Sequence, residues 1–177
     1  MMELVTPLTS GGCDTILVMP NLEKPIVSVT QALAYQKKLS SLAPNVRFLM
    51  SIYLHPDVTP DQIKLAAKTN IIFGVKLYPA GVTTNSQHGV RDIKRYYPVF
   101  AAMQKVGLVL NLHGELTNCT PNAATIHDSM NAESNFLPQL FKLHKDFPDL
   151  RIVRSSWILF IQNDALTPLG SRRYLSM

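Results

Sequence analysis

The sequence predicts an α/β fold in which helices cover a parallel β-sheet. Five short apolar runs alternate with segments that have the apolar spacing of helices. Continuous apolar runs are typical of strands buried on both faces, and their spacing of about 25–35 residues suits βαβ units. No Gly-x-Gly-x-x-Gly follows the first run, which disfavours a dinucleotide-binding sheet. An open parallel sheet and a segment of a (β/α)8 barrel both fit this pattern.

Each predicted element is bounded by local signals. Thr59 suits the N-cap of a helix, Pro60 its first position and Asp61 its first turn, and Gly107 suits the position after a helix end. The predicted strands are 15–19, 47–54, 71–77, 108–112 and one beginning at 150–153. The predicted helices are 29–42, 60–68, about 92–105 and about 134–146.

Composition and charge indicate a globular enzyme domain. Of 177 residues, 46% are hydrophobic and 16% charged, which is enough apolar material for one core. The net charge is +5, but no run of lysines and arginines occurs. We therefore expect a mildly basic surface that binds neither nucleic acid nor membrane.

The cysteine pattern and the N-terminus indicate a cytoplasmic protein. Cys13 and Cys119 stand far apart without a Cys-x-x-Cys pair, which argues against a zinc finger and against a disulfide scaffold. No secretory signal pattern is visible, and no apolar run approaches the ~20 residues of a membrane span.

Polar side chains at the ends of the predicted strands are candidates for a site, because functional groups collect there in parallel α/β folds. Lys76 is notable, because a lysine within an apolar strand is costly unless it is neutralised, paired or metal-bound. It could form a Schiff base, bind phosphate, become carboxylated as a metal ligand, or reach solvent. The candidates are Asn21, His55, Lys76, Tyr78, His113 and Glu115.

His113 strengthens the interpretation of Lys76 as a site residue. It follows the fourth predicted strand, and adjacent strands would place it beside Lys76. Glu115 could orient His113 or face solvent. Asn21 could donate to a carboxylate ligand or simply end the first strand.

The other candidates have ordinary structural interpretations. The polar stretch 83–86 could act as a lid or be a plain connection. The remaining histidines have no companion at a diagnostic spacing and are expected to be structural or on the surface: His55, His88, His127 and His144.

Three segments resemble the dihydroorotases of enteric bacteria and fungi. They are Val-Met-Pro-Asn-Leu at 18–22, Gly-Val-Lys-Leu-Tyr-Pro-Ala-Gly-Val-Thr-Thr-Asn-Ser at 74–86, and Asn-Leu-His-Gly-Glu at 111–115. The resemblance covers about residues 2–153. It implies a partial (β/α)8 barrel, about strands two to six, in residues 1–153, followed by a tail at 154–177 that does not resemble the family.

The resemblance also implies an activity. Dihydroorotases are zinc-dependent cyclic amide hydrolases that interconvert N-carbamoyl-L-aspartate and L-dihydroorotate in pyrimidine biosynthesis, and they are often homodimers. Lys76 matches the carboxylated lysine that bridges two zinc ions, and His113 matches a histidine ligand. Asn21, Thr83 and Thr84 match contacts to the small-molecule substrate.

The sequence departs from the family pattern at three places. The His-x-His pair of the first family strand, the later ligand histidine and the catalytic aspartate are not found, and Arg154-Ser155-Ser156-Trp157 follows the last predicted strand. We therefore expect a chain truncated at both ends, without catalytic residues and inactive alone. The alternatives are a non-catalytic partner of a full-length barrel subunit, or a Schiff-base lyase that uses Lys76.

Overall fold

The computed structural model describes residues 12–80, 86, 89–115 and 131–154. Its strands are β1 (Thr15–Val18), β2 (Arg47–Tyr53), β3 (Ile72–Leu77), β4 (Val109–Leu112) and β5 (Ile152–Arg154). Its helices are α1 (Val29–Leu42), α2 (Pro60–Lys68), a 3-10 helix (Ile93–Tyr96), α3 (Tyr97–Val106) and α4 (Ala132–Asp146).

The five strands form one parallel sheet whose spatial order is the order along the chain. A doubly wound sheet would reverse its order at a switch point, whereas a barrel adds each strand beside the previous one. The sheet curls into half of a barrel, which confirms the predicted partial (β/α)8 architecture. Within the described residues, no helix has the length and apolar character needed to cross a membrane.

The predicted caps at Thr59 and Gly107 are observed, and Ser28 caps the start of α1. The Ser28 Oγ accepts a hydrogen bond from the Gln31 N–H, and the Gln31 Oε1 accepts one from the Val27 N–H, so the start of α1 is capped from both directions. The Thr59 Oγ1 accepts from the backbone of the first turn of α2. Gly107 ends α3 with a φ of 75°, a conformation that glycine adopts without strain.

Two helices differ from the prediction in detail. The helix predicted at about 92–105 is a 3-10 turn followed by α3, which starts just before Pro98. Pro98 sits in the first turn of α3, where proline is tolerated because the missing N–H has no helical partner. The helix α4 begins at Ala132, two residues before the predicted start, and contains Pro138.

The last strand includes Arg154, whose register partner is Leu112 of β4. Residues 155–177 lie outside the described part of the chain. The division into a barrel segment at 1–153 and a tail at 154–177 therefore stays a prediction.

The core lies between the sheet and its helices. Side chains alternate along β3, so Val75 and Leu77 face the helices, where they join a buried apolar cluster with Phe100 and Met103 of α3. Each such large side chain contributes about 1.5–3 kcal/mol on burial. The same alternation turns Lys76 to the opposite face of the sheet, which is the interior side of a barrel.

Candidate metal centre

Lys76 and His113 lie at the same end of neighbouring strands. Lys76 pairs with Asn111 in the parallel register of β3 and β4, and the His113 N–H donates to the Leu77 carbonyl at 2.9 Å. These backbone contacts place His113 directly after β4, beside Tyr78, with 6.0 Å between the two ring centroids. The predicted side-by-side placement of the two strand ends is therefore observed.

Lys76 is buried among aromatic rings. Its side chain is 2% exposed, which excludes the alternative in which it reaches solvent. Burial lowers the pKa of Lys76 to about 8. Its Nζ lies 5.0 Å from the centroid of the Tyr78 ring. The amine is therefore neutral more often than an ordinary lysine at neutral pH, and the neutral amine is the form that reacts with carbon dioxide or a carbonyl.

His113 presents a nitrogen without a hydrogen bond. Burial is the main cause of its lowered pKa and Lys76 acts in the same direction, whereas Glu115 raises the pKa. The His113 Nε2 lies 3.1 Å from the Glu115 Oε1, but the two atoms are not aligned as a hydrogen bond, and Nε2 has no other partner within the described residues. An imidazole whose pKa is lowered in this way is mostly neutral at neutral pH, and neutral imidazole is a common metal ligand.

These two residues fit a zinc ion as part of its ligand set. A carboxylated Lys76 would supply oxygen atoms and His113 would supply Nε2. Elsewhere in the described ranges, no group of three or more histidine, cysteine, aspartate or glutamate side chains is arranged to hold a metal. A catalytic zinc takes three protein ligands, so Lys76 and His113 are a partial set.

Tyr53 is a neighbour of Lys76 that sequence reasoning missed. It is fully buried in β2 and is the register partner of Lys76. Its ring centroid lies 5.3 Å from that of Tyr78. Burial raises the pKa of both tyrosines to about 12, so both hydroxyls stay protonated at neutral pH. Tyr53 is thus a buried neighbour of both Lys76 and Tyr78, and no sequence signal pairs the two tyrosines across strands.

Asn111 is the second missed neighbour. It is 5% exposed and pairs with Lys76 across β3 and β4, and its Nδ2 has no hydrogen-bond partner in the described structure. The amide covers Gly74, where an added Cβ would lie 2.5 Å from the Asn111 Nδ2 and 2.7 Å from the Val109 carbonyl oxygen. Glycine is therefore the residue that allows β4 to approach β3 below the lysine.

Of the three predicted substrate contacts, Asn21 lies within the described residues. Asn21 follows β1 after Pro20, whose carbonyl accepts from the Ile26 N–H at 3.1 Å. It is half-buried at the same edge of the sheet as Lys76, two strands away. Thr83 and Thr84 lie outside the described residues, as do His88 and His127.

Comparison with known proteins gives a consistent result. No protein-family model matches the chain. The chain is 50% identical over 156 residues to the dihydroorotase of Saccharomyces cerevisiae, which corresponds to 86% of this chain and 43% of that protein. It is 51% identical over 154 residues to the dihydroorotase of Mycosarcoma maydis, covering 86% of this chain and 38% of that protein.

Comparison with solved structures also finds a dihydroorotase. The fold matches the crystal structure of the Saccharomyces cerevisiae dihydroorotase in complex with 5-fluoroorotic acid with a TM-score of 0.76 and 49% identity, over 86% of this chain and 43% of that chain. The chain thus spans less than half the length of these relatives.

Proposed function

Because the chain is homologous to dihydroorotases along 86% of its length, we propose that it carries the Lys76 and His113 part of a zinc-dependent cyclic amide hydrolase site. The complete site would interconvert N-carbamoyl-L-aspartate and L-dihydroorotate in pyrimidine biosynthesis. The supporting observation is the pairing of a buried lysine of lowered pKa with a buried histidine nitrogen that has no hydrogen bond.

Lys76 would act after carboxylation. Its neutral amine attacks carbon dioxide, a carbon–nitrogen bond forms, and the lost proton leaves to solvent. The resulting carboxylate, together with the His113 Nε2, would hold zinc at the barrel mouth. Bound zinc polarises an amide carbonyl and lowers the pKa of a bound water. The remaining ligands and a general base would come from residues other than those described.

The other expected roles extend this proposal. Asn21 would contact a carboxylate of the substrate, and Thr83 and Thr84 would close over it. The small-molecule substrate, a homodimeric assembly and a cytoplasmic location follow from the resemblance and remain part of the proposal.

Metal content tests the proposal directly. The full chain is purified with zinc and 13C-labelled bicarbonate, and its zinc is counted while carbon NMR detects a carbamate. We expect a carbamate signal and bound zinc that are lost in Lys76→Met, and zinc that is reduced in His113→Leu. Lys105→Met and His144→Gln, in α3 and α4 away from the centre, serve as matched controls. Zinc binding that survives both site substitutions would refute the proposal.

An activity assay tests the expectation that the chain is inactive alone. We expect the purified chain with zinc and bicarbonate to leave dihydroorotate unchanged. Turnover that disappears in Lys76→Met would overturn that expectation while supporting the proposed site. Co-purification with a full-length dihydroorotase subunit, without turnover of its own, would instead favour the non-catalytic partner.

The lowered pKa of Lys76 also favours a second candidate, the Schiff-base lyase, because an imine forms from the neutral amine. Borohydride reduction in the presence of a keto acid would trap such an adduct on Lys76. We expect no adduct, and a mass increase at Lys76 would make the lyase the better assignment.

A further inference from the structure

A second concave site lies apart from the metal centre. It is a cavity of about 340 Å³ between the segment after β2 and the segment that leads into the 3-10 helix. Its lining includes His55, Arg91, Asp92, Arg95 and Tyr96, and it includes neither Lys76 nor His113.

Two arginines, Arg91 and Arg95, are part of the cavity lining. Arg91 and Arg95 form no ion pair within the described residues, and both are exposed to solvent. The Asp92 Oδ1 in the lining accepts a hydrogen bond from the Lys94 N–H at 3.0 Å, and the carboxylate keeps its charge, so the lining carries two arginine cations and one aspartate anion. Each guanidinium offers a planar set of donors that matches phosphate oxygens.

The positive charge continues beyond the cavity. A smaller hollow of about 180 Å³ shares Arg91 and Asp92 and adds Lys94 and Lys142. Lys142 pairs with Asp146 at 3.1 Å, whereas Lys94 forms no ion pair in the described structure. Three unpaired cations thus lie within five consecutive residues, at 91, 94 and 95.

The walls of the cavity suit a ligand with a flat group. Tyr96 is 5% exposed, so its ring is held by packing, and Pro56 adds a second apolar residue to the lining. The volume falls in the range of small-molecule sites, which combine apolar walls with a few polar anchors.

Backbone hydrogen bonds hold Val90, the residue before Arg91. The Val90 N–H donates to the Tyr78 carbonyl at 2.7 Å, and the Ala80 N–H donates to the Val90 carbonyl at 3.1 Å. Val90 is therefore held against the segment that follows β3. The backbone beside Arg91 is thus ordered before a ligand binds, which lowers the entropy cost of binding.

We propose that this cavity binds a small phosphate monoester, with Arg91 and Arg95 contacting the phosphate and Tyr96 contacting an attached ring. The assignment is independent of the zinc site. It gives a role to His55, which the sequence predicts to be structural or on the surface, because His55 is part of the lining and its Nδ1 lies 3.2 Å from the Asp57 Oδ2.

Calorimetric titration of the metal-free full chain at constant ionic strength tests this site. The probes are phenyl phosphate, inorganic phosphate and phenol. We expect phenyl phosphate to bind most tightly and phenol not to bind. Arg91→Gln and Arg95→Gln should each weaken phenyl phosphate binding at least about tenfold, the effect of losing a charge-assisted hydrogen bond.

Matched variants keep the test specific. Arg151→Gln removes an exposed arginine just before β5, at the opposite end of the sheet, and should leave the affinity unchanged. Arg91→Lys should weaken binding less than Arg91→Gln. Circular dichroism melts of all variants establish that they fold. The proposal is overturned if no saturable binding occurs, if Arg151→Gln weakens binding as much as the cavity variants, or if Lys76→Met abolishes binding.

Discussion

At Lys76, burial lowers the pKa of the amine. Desolvation disfavours the charged amine, so the same barrel position that hides the lysine also prepares it to react. His113 follows the same logic, since burial is the first cause of its lowered pKa. Two residues on neighbouring strand ends thus share a lowered pKa that has burial as its main cause.

Gly74 is a residue whose lack of a side chain is required. We expect Gly74→Ala to lower the free energy of unfolding by about 1–3 kcal/mol, because the added Cβ would overlap the Asn111 amide and the Val109 carbonyl oxygen. Urea denaturation measures the change. Adding Asn111→Ala should restore part of the loss, since the contact with the Val109 backbone remains. An unchanged free energy of unfolding in Gly74→Ala would contradict this packing.

The stability of α1 and α2 depends on the N-cap residues that precede them. Ser28 and Thr59 each accept a backbone hydrogen bond at 3.3 Å from the third residue of the helix that they precede. We expect Ser28→Ala and Thr59→Ala each to reduce the free energy of unfolding by about 1 kcal/mol, the usual cost of a lost N-cap. Ser41→Ala, in the last turn of α1, is the control. Equal values for the cap variants and the control would show that the caps contribute nothing.

The helices α3 and α4 are joined by a hydrogen bond whose contribution depends on pH. The Tyr97 hydroxyl donates to the Asp146 Oδ2 at 2.6 Å. This bond is the first cause of the lowered pKa of Asp146 and of the raised pKa of Tyr97. A depressed carboxyl pKa stabilises the fold above the ordinary value of 3.8, and the benefit is lost as pH falls through the folded-state pKa.

The raised pKa of Tyr97 makes stability depend on pH in the opposite direction. Its raised pKa stabilises the fold below the ordinary value of 10.0, and the benefit is lost as pH rises through the folded-state pKa. We therefore expect Tyr97→Phe to be less stable than the parent at neutral pH, with the difference closing at both extremes. Denaturation between pH 3 and 11 measures it, and a difference that is constant with pH would exclude the bond as its source.

For the whole molecule, a metal bound at the barrel mouth would join two central strands. Lys76 belongs to β3 and His113 follows β4, so a ligand shared by them opposes separation of these strands. We expect zinc with bicarbonate to raise the thermal midpoint of the chain, and a chelator to reverse the increase. Lys76→Met should show no such increase, while Lys105→Met should behave like the parent. A rise of equal size in Lys76→Met would place the zinc elsewhere.

Much of the architecture could be predicted because its causes are local. The alternation of apolar runs and helical spacing identified the five strands, and the predicted caps at Thr59 and Gly107 use residues within a turn of the helix end. Lys76 and His113 could be selected because each is a polar residue at the end of an apolar run. Family resemblance, rather than periodicity, distinguished a barrel segment from an open sheet.

The surroundings of Lys76 depended on the tertiary structure. The register between β2 and β3 shifts by one residue, since Met50 pairs with Ile72 and Ser51 with Gly74. Because side chains alternate, a one-residue shift changes which face a side chain shares with its neighbour. The shift makes Tyr53 the register partner of Lys76, and no local pattern in either strand specifies it.

The sequence by itself therefore determined the strands and several helix ends, because these depend on interactions between residues close in the chain. It also singled out Lys76 and His113, through their residue types near strand ends and through the family resemblance. Only the tertiary structure decided that Tyr53 and Asn111 flank Lys76 and that His55 meets Arg91 and Arg95 around one cavity. These neighbours are distant in sequence, and their meeting depends on cross-strand register and on the packing of loops at the sheet edge.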